Sequence, residues 1–254
     1  MARRWPCARP LFAVVAAALA LPALAYLLPT TAVLKHLGLR REALAISTLQ
    51  VEGTLQALGH SAELLQAVLG QPAGAPNLPA RLLIKVPGRC RLEIAGATPA
   101  DSPYLLLREG RPGPEGALAS DPAATALVRA VCTLLATSTA GDASQNFAAA
   151  LARRGVSLAD ESLGRFDGRL AYVIGGRPHD PKPLLFVDKD GFQPLRLVAA
   201  EGGALLDVRL LGWGSPTGGD WFPRAVEVAE GEDLRLRFTT ERTSANAHLP
   251  EGAL

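Results

Sequence analysis

The sequence predicts an α+β fold: a curved antiparallel sheet of roughly ten strands whose concave apolar face is covered by helices. Three observations point there. From residue 163 to the end the chain reads as successive strands with alternating apolar and polar faces. A similar but shorter run of strands precedes it. Between the two runs lie two helical segments, the first too apolar to rest on a surface.

In chain order, residues 30–44, "TTAVLKHLGLRREAL", read as a short amphipathic helix with Val33, Leu34, Leu37 and Leu44 near one face. "AISTLQVEGTLQA" alternates as a strand, and "HSAELLQAVLGQPAGAPNLP" is ambiguous until its Pro/Gly/Ala loop. "ARLLIKVPGRCRLEIAG" makes two strands around a Pro87-Gly88 turn. Cys90, Leu92 and Ile94 face one way; Arg89, Arg91 and Glu93 face the other. "SPYLLLREG" is one more short strand.

"DPAATALVRAVCTLLATS" starts a helix with Asp121 at the N-cap and Pro122 at the first helical position. Leu127, Val131, Leu134 and Leu135 share one face, Val128 and Cys132 widen it, and Arg129 alone is charged. "DASQNFAAALARRG" is a second helix, closed by Gly155. Six strands follow: "GRLAYVIGG", "PLLFVDK", "FQPLRLVAA", "ALLDVRLLGWG", "WFPRAVEVAE" and "DLRLRFTTER". Lys189-Asp190-Gly191 and Glu230-Gly231-Glu232 suit hairpin turns. In the last strand Leu234, Leu236 and Phe238 oppose Asp233, Arg235 and Arg237.

The N-terminus reads as an export signal. "MARRWPCARP" is basic, "LFAVVAAALALPALA" is apolar, and Ala23-Leu24-Ala25 fits a cleavage site. Residues 1–25 are therefore expected to be a signal peptide, or an uncleaved inner-membrane anchor, and 26–254 a single periplasmic domain. Arg3-Arg4 lacks the residues that follow in a twin-arginine signal, and Cys7 precedes the apolar run, so it is no lipidation site. Losing residues 1–25 removes three arginines and no acid, which takes the net charge from +2 to −1. Nothing electrostatic then points to nucleic acid. In an oxidising compartment Cys90 and Cys132 can pair as a disulfide; two buried free thiols are the alternative.

Catalytic signals are missing. His36, His60, His179 and His248 have no metal-ligand spacing among them, and His179-Asp180 in "RPHDPKP" reads as a solvated turn. Asp188-x-Asp190-Gly191 opens like a calcium loop without the later ligands, which leaves a hairpin turn. "GWGSPTGGDW" is Gly-rich but opens no helix, so phosphate binding there is not expected. Trp213, Trp221 and Phe222 beside it either pack on one another or rim a cavity mouth. No cofactor and no enzyme activity are expected.

Residues 168–197 resemble the corresponding meander of the LolA-like family of periplasmic lipoprotein carriers: a strand ending "YVIG", a loop, then "LLFVDKDGFQPLRL". The tail "DWFPRAVEVAEGEDLRLRFTTERTSANAHLPEGAL" is similar to that family's ending, with Pro223 after the penultimate loop and Asn246 to Leu249 as a closing N-x-x-L segment. An amphipathic helix leading into "LQVEGTL" fits as well. The resemblance spans most of 30–254, least at 57–80 and 111–160. It implies an unclosed antiparallel β-barrel with helices in its mouth, and a monomeric carrier or chaperone for lipoprotein acyl chains or another lipid, served by inner- or outer-membrane partner proteins. The wall of the implied cavity is Leu92, Ile94, Tyr172, Ile174, Leu236 and Phe238, and its lid is Leu127, Val131, Leu134 and Leu135. Arg89, Arg91, Arg169 and Arg196 are all open as the family's ligand-contacting arginine. The alternative is an envelope interaction protein with a filled barrel and no ligand.

Overall fold

The structure is a computed structural model and describes residues 27–70, 77–95, 102–108, 111, 113–249 and 254. The signal segment expected at 1–25 lies outside the described residues. The helices are α1 (Thr30–Ala43), α2 (His60–Leu69), α3 (Pro122–Leu135) and α4 (Ala143–Ala152). The strands are β1 (Thr48–Ala57), β2 (Leu78–Lys85), β3 (Arg89–Ile94), β4 (Tyr104–Arg108), β5 (Glu161–Phe166), β6 (Arg169–Ile174), β7 (Leu184–Asp188), β8 (Pro194–Glu201), β9 (Ala204–Leu211), β10 (Ala225–Glu230) and β11 (Asp233–Ala245).

These strands form one antiparallel sheet in the order β4-β3-β2-β1-β11-β10-β9-β8-β7-β6-β5. Each of the two runs, β1 to β4 and β5 to β11, is a plain meander, and β1 joins them by pairing with β11. The chain leaves the sheet for α2 between β1 and β2, and makes a longer excursion between its two edge strands β4 and β5. It spends that longer excursion on α3, which lies inside the sheet's curve, and on α4, which packs mainly against α1.

The curvature follows from the contacts. α3 packs against β3 and β4 and also against β8, β9 and β10. In the sheet order β3 and β8 are six strand spacings apart, about 29 Å if the sheet were flat at about 4.8 Å per strand. A helix about 10–12 Å across cannot reach both sides of a flat sheet, so the sheet wraps around it. The edges β4 and β5 do not pair, and the barrel is unclosed.

Local chemistry explains the elements. Asp121 caps α3, its Oδ1 accepting from the Ala123 N–H at 3.0 Å, with Pro122 next in line. Asp142 caps α4 through the Gln145 N–H at 3.2 Å. Asp188 Oδ1 accepts from the Asp190 N–H at 3.1 Å and the Gly191 N–H, so the Asp-rich stretch is the turn of the β7–β8 hairpin. Glu230 pairs with Asp233 across a two-residue turn whose Gly231 takes a φ of 61°. The Val86–Pro87 peptide is cis. The ambiguous 60–69 segment is helix α2, and β5 is a strand the periodicity did not single out. Leu44 is the half-buried C-cap of α1 rather than part of its buried face.

The closing Asn246 has a physical role. At a φ of 56° it turns the chain back onto the α1–β1 junction. Its Oδ1 accepts from the Ser47 N–H at 2.8 Å, and its Nδ2 donates to the Ala45 carbonyl at 3.0 Å. Asn246→Ala removes both bonds, and we expect a loss of about 1–2 kcal/mol in urea unfolding.

Gly53 sits at the bulge where the β1–β11 register shifts. A Cβ there would run into the Thr239 carbonyl oxygen, backbone that cannot swing aside. Gly53→Ala should therefore lower the melting temperature by roughly 5 °C or more, as read by circular dichroism.

Candidate functional site

The concave face is occupied by α3. Leu127, Val131 and Leu134 are fully buried, and Leu135 nearly so. They share one core with the strand residues Leu92, Ile94, Tyr172, Ile174, Leu236 and Phe238. The structure thus brings all ten candidate residues together and sets the six wall residues on the concave side of the sheet. Their neighbours Ala171 and Val173 point to the other side, into a small convex cluster with Leu184, Phe186, Leu195 and Val198. Arg196 lies over the Phe186 ring there, 4.9 Å from its centroid, and pairs with Asp207 at 2.7 Å.

The expected cavity beneath the helix is filled by the helix itself. At the seam between α3 and β8–β9 the remaining void is about 10 Å³, lined by Ala126, Ala130, Leu197, Leu206 and Val208. That is room for one water at most. The reason is steric: four large apolar side chains of α3 point into a curve that closes on them.

α3 is held in several ways. Cys132 is joined by a disulfide to Cys90 on β3, the Cα atoms 5.7 Å apart. The Gly88 N–H donates to the Ala136 carbonyl at 2.9 Å, fixing the C-terminal end of α3 to the β2–β3 turn. Arg41, at the end of α1, donates through Nη2 to the Leu135 carbonyl at 2.8 Å. That guanidinium is almost wholly buried, and burial, with Arg40 adjacent, lowers its pKa to about 10. On the opposite side, Arg129 Nε lies 2.7 Å from Glu201 Oε2 at the end of β8.

The N-terminus of α3 rests on α2. The Ser61 hydroxyl donates to Asp121 Oδ1 at 3.1 Å, while Oδ2 is buried without a partner. Burial pushes the Asp121 carboxyl above its ordinary value despite the bonds from Ala123 and Ser61. For an acid raised in the fold, the stability present at low pH is lost as pH climbs from about 4 through the folded value. Asp121→Asn keeps the Oδ1 acceptor and removes the charge. Its stability relative to wild type should rise over that interval in urea melts at stepped pH.

The remaining candidates are structural. His179 is exposed, and its neighbour Asp180 accepts the Arg177 N–H at 2.9 Å, closing a turn. Phe222 packs edge-on against Phe238 in the core, Trp213 donates to the Pro194 carbonyl at 2.8 Å, and Trp221 stays exposed. Arg91 stacks on Tyr104 at 4.1 Å and Arg169 pairs with Asp188 at 2.8 Å. No group of three or more metal-binding side chains occurs among the described residues. No helix among them is long and apolar enough to cross a membrane. The residues that the sequence reading missed are Arg41 and the Arg129–Glu201 pair; of these only Arg129, the one charge in an apolar helix, carried a local signal.

No family model matches the chain, and no curated protein sequence matches it. Among solved structures, a LolA superfamily protein from Nitrosomonas europaea is similar at 12 % identity and a TM-score of 0.47, covering 88 % of this chain and 96 % of that one. A DUF1329 family protein from Desulfovibrio piger is similar at 10 % identity and a TM-score of 0.40, with 88 % and 96 % covered.

Proposed function

We propose that the protein is a non-enzymatic carrier or chaperone of the cell envelope that takes the acyl chains of lipoproteins, or another lipid-like ligand, between α3 and the sheet. In this reading residues 1–25 are a signal peptide and 26–254 a single domain that works as a periplasmic monomer, exchanging cargo with membrane partner proteins.

The observation that carries the proposal is the asymmetry of α3's two attachments. Toward β3 it is fixed covalently through Cys132. Toward β8 and β9 it presents the small side chains Ala126 and Ala130 against Leu197, Leu206 and Val208, a contact with no covalent tie. One wall is a hinge and the other a releasable seam. A chain of about 14 CH₂ groups entering the seam contributes roughly 11 kcal/mol of burial, at about 0.8 kcal/mol each. That burial acts against the re-exposure of Leu197, Leu206 and Val208 on the sheet side of the seam.

The filled interior favours a second reading, an interaction protein with a permanent core. It would need an exposed apolar surface. The exposed large apolar residues Leu39, Leu170 and Trp221 stand on α1, on β6 and in the β9–β10 connection, separate elements of the fold.

Native mass spectrometry of the chain purified from envelope extract, with lipid extraction of the same sample, separates the two. A reproducible bound mass that extracts as an acylated species is the expected result. A clean apo mass, with no uptake of an apolar fluorescent probe, would overturn the carrier and leave the interaction protein.

A further inference from the structure

A second cavity adjoins the seam. It is a cleft of about 450 Å³ between the end of β4, the outward side of α3 and the end of α4. Five guanidinium groups line it: Arg108, Arg111, Arg129, Arg153 and Arg154. They come from three separate stretches of chain, so only the fold assembles them. Among the described residues two carboxylates reach Arg108, Arg129 and Arg154, and Arg153 is engaged as well. Glu201 pairs with Arg129 at 2.7 Å and stands 3.8 Å from Arg154, and Glu115 is 3.5 Å from Arg108. The lining also includes the apolar Leu107 and Ala150.

Arg153 and Arg154 suit the C-terminal end of α4, where carbonyl dipoles favour cations. That accounts for two of the five and not for Arg108 or Arg129. Burial and the repulsion of Arg129 lower the Arg154 pKa, with Glu201 acting the other way. A further anion in the cleft would relieve that repulsion.

We infer that this cleft binds the phosphoryl group of an anionic amphiphile whose chain continues under α3. The inference rests on the carrier reading and names the class of its ligand. Guanidinium forks match phosphoryl oxygens two at a time. Arg129 and Arg154 line both the cleft and the apolar seam, so a headgroup in one lies at the entrance of the other. A phosphoryl group that takes over Arg129 and Arg154 also frees Glu201 of β8 from α3. Headgroup binding therefore releases the side of the helix that must part.

Calorimetric titration of the full chain with dihexanoyl phosphatidic acid, dihexanoylglycerol and inorganic phosphate tests this. The expected result is that phosphatidic acid binds more tightly than the uncharged diacylglycerol. The R129Q/R154Q double variant should weaken phosphatidic acid by about tenfold or more, while the diacylglycerol, which uses no arginine and meets a helix already freed from Glu201, should not weaken. Arg165→Gln, at an exposed position of β5, should change neither. Competition by inorganic phosphate would show that the phosphoryl group alone is read; its absence would assign the site to a lipid headgroup. Either supports the site. Equal binding of the two lipids, untouched by the double variant, overturns the headgroup site while the carrier stands. If neither lipid binds, the carrier fails, and inorganic phosphate decides the cleft: arginine-dependent binding supports an anion site, none overturns it. Should R129Q/R154Q fold poorly by circular dichroism, the exposed Arg153→Glu repeats the comparison.

Discussion

Replacing Cys90 and Cys132 together by alanine is expected to cost about 4 kcal/mol of stability. The bridge closes a loop with a sequence separation of 42. The chain-entropy relation then gives about 3.9 kcal/mol at 25 °C. The two cysteines lie in the core, Cys90 fully buried and Cys132 packed at its margin, and alanine fills those positions without a new polar group. The loss should be read in urea as a lower midpoint, with reduced wild type falling close to the double variant. The functional consequence differs from that of a generic destabilisation. The disulfide is α3's covalent hold on β3, and without it the helix can part from both walls. In the carrier reading a bound probe should then leave faster than from the oxidised protein. In the filled-barrel reading the stability loss should stand alone. A double variant as stable as the wild type would show that the bridge does not form.

How much of this was legible beforehand depends on range. Alternation put Cys90, Leu92 and Ile94 on one side of β3, and Leu236 and Phe238 on one side of β11, and the structure places them on the concave side. The caps Asp121 and Asp142 are local chemistry, readable within one turn of helix. β5 was harder because "ESLGRF" has no strong apolar alternation and its residues stay half-buried or exposed at the sheet edge. The filled interior was not legible at all. Whether a helix caps a concavity or plugs it depends on how tightly the sheet curls, and nothing in the α3 sequence specifies that. The arginine cleft is the extreme case. Arg108, Arg129 and Arg153-Arg154 are scattered in sequence, never more than two in a row, and meet because β4, α3 and α4 converge at the mouth. Arg41 gave no warning either. It reads as the charged end of an amphipathic helix, and only tertiary packing buries it against the Leu135 carbonyl.

Leu134→Ala should separate a plug from a core. Leu134 is fully buried within the cluster that joins α3 to the sheet. Truncation there removes about three methylene-sized groups and leaves a hole, at a cost of roughly 3 kcal/mol or more. Both readings predict that loss of stability. They part on ligand uptake. If α3 is a plug that a chain displaces, part of the cost of displacement is the apolar contact that Leu134 makes with the wall. Removing it lowers the cost, so a fluorescent fatty acid should bind more tightly to Leu134→Ala than to wild type even as the melting temperature falls. Opposite movement of stability and affinity is the signature of a helix that competes with its ligand for one surface. If the barrel is permanently filled, the hole accepts only something small, and a long chain gains nothing because its path is still blocked by Leu127 and Val131. Affinity for the long chain that stays undetectable while benzene-sized molecules stabilise the variant would settle the matter against the carrier.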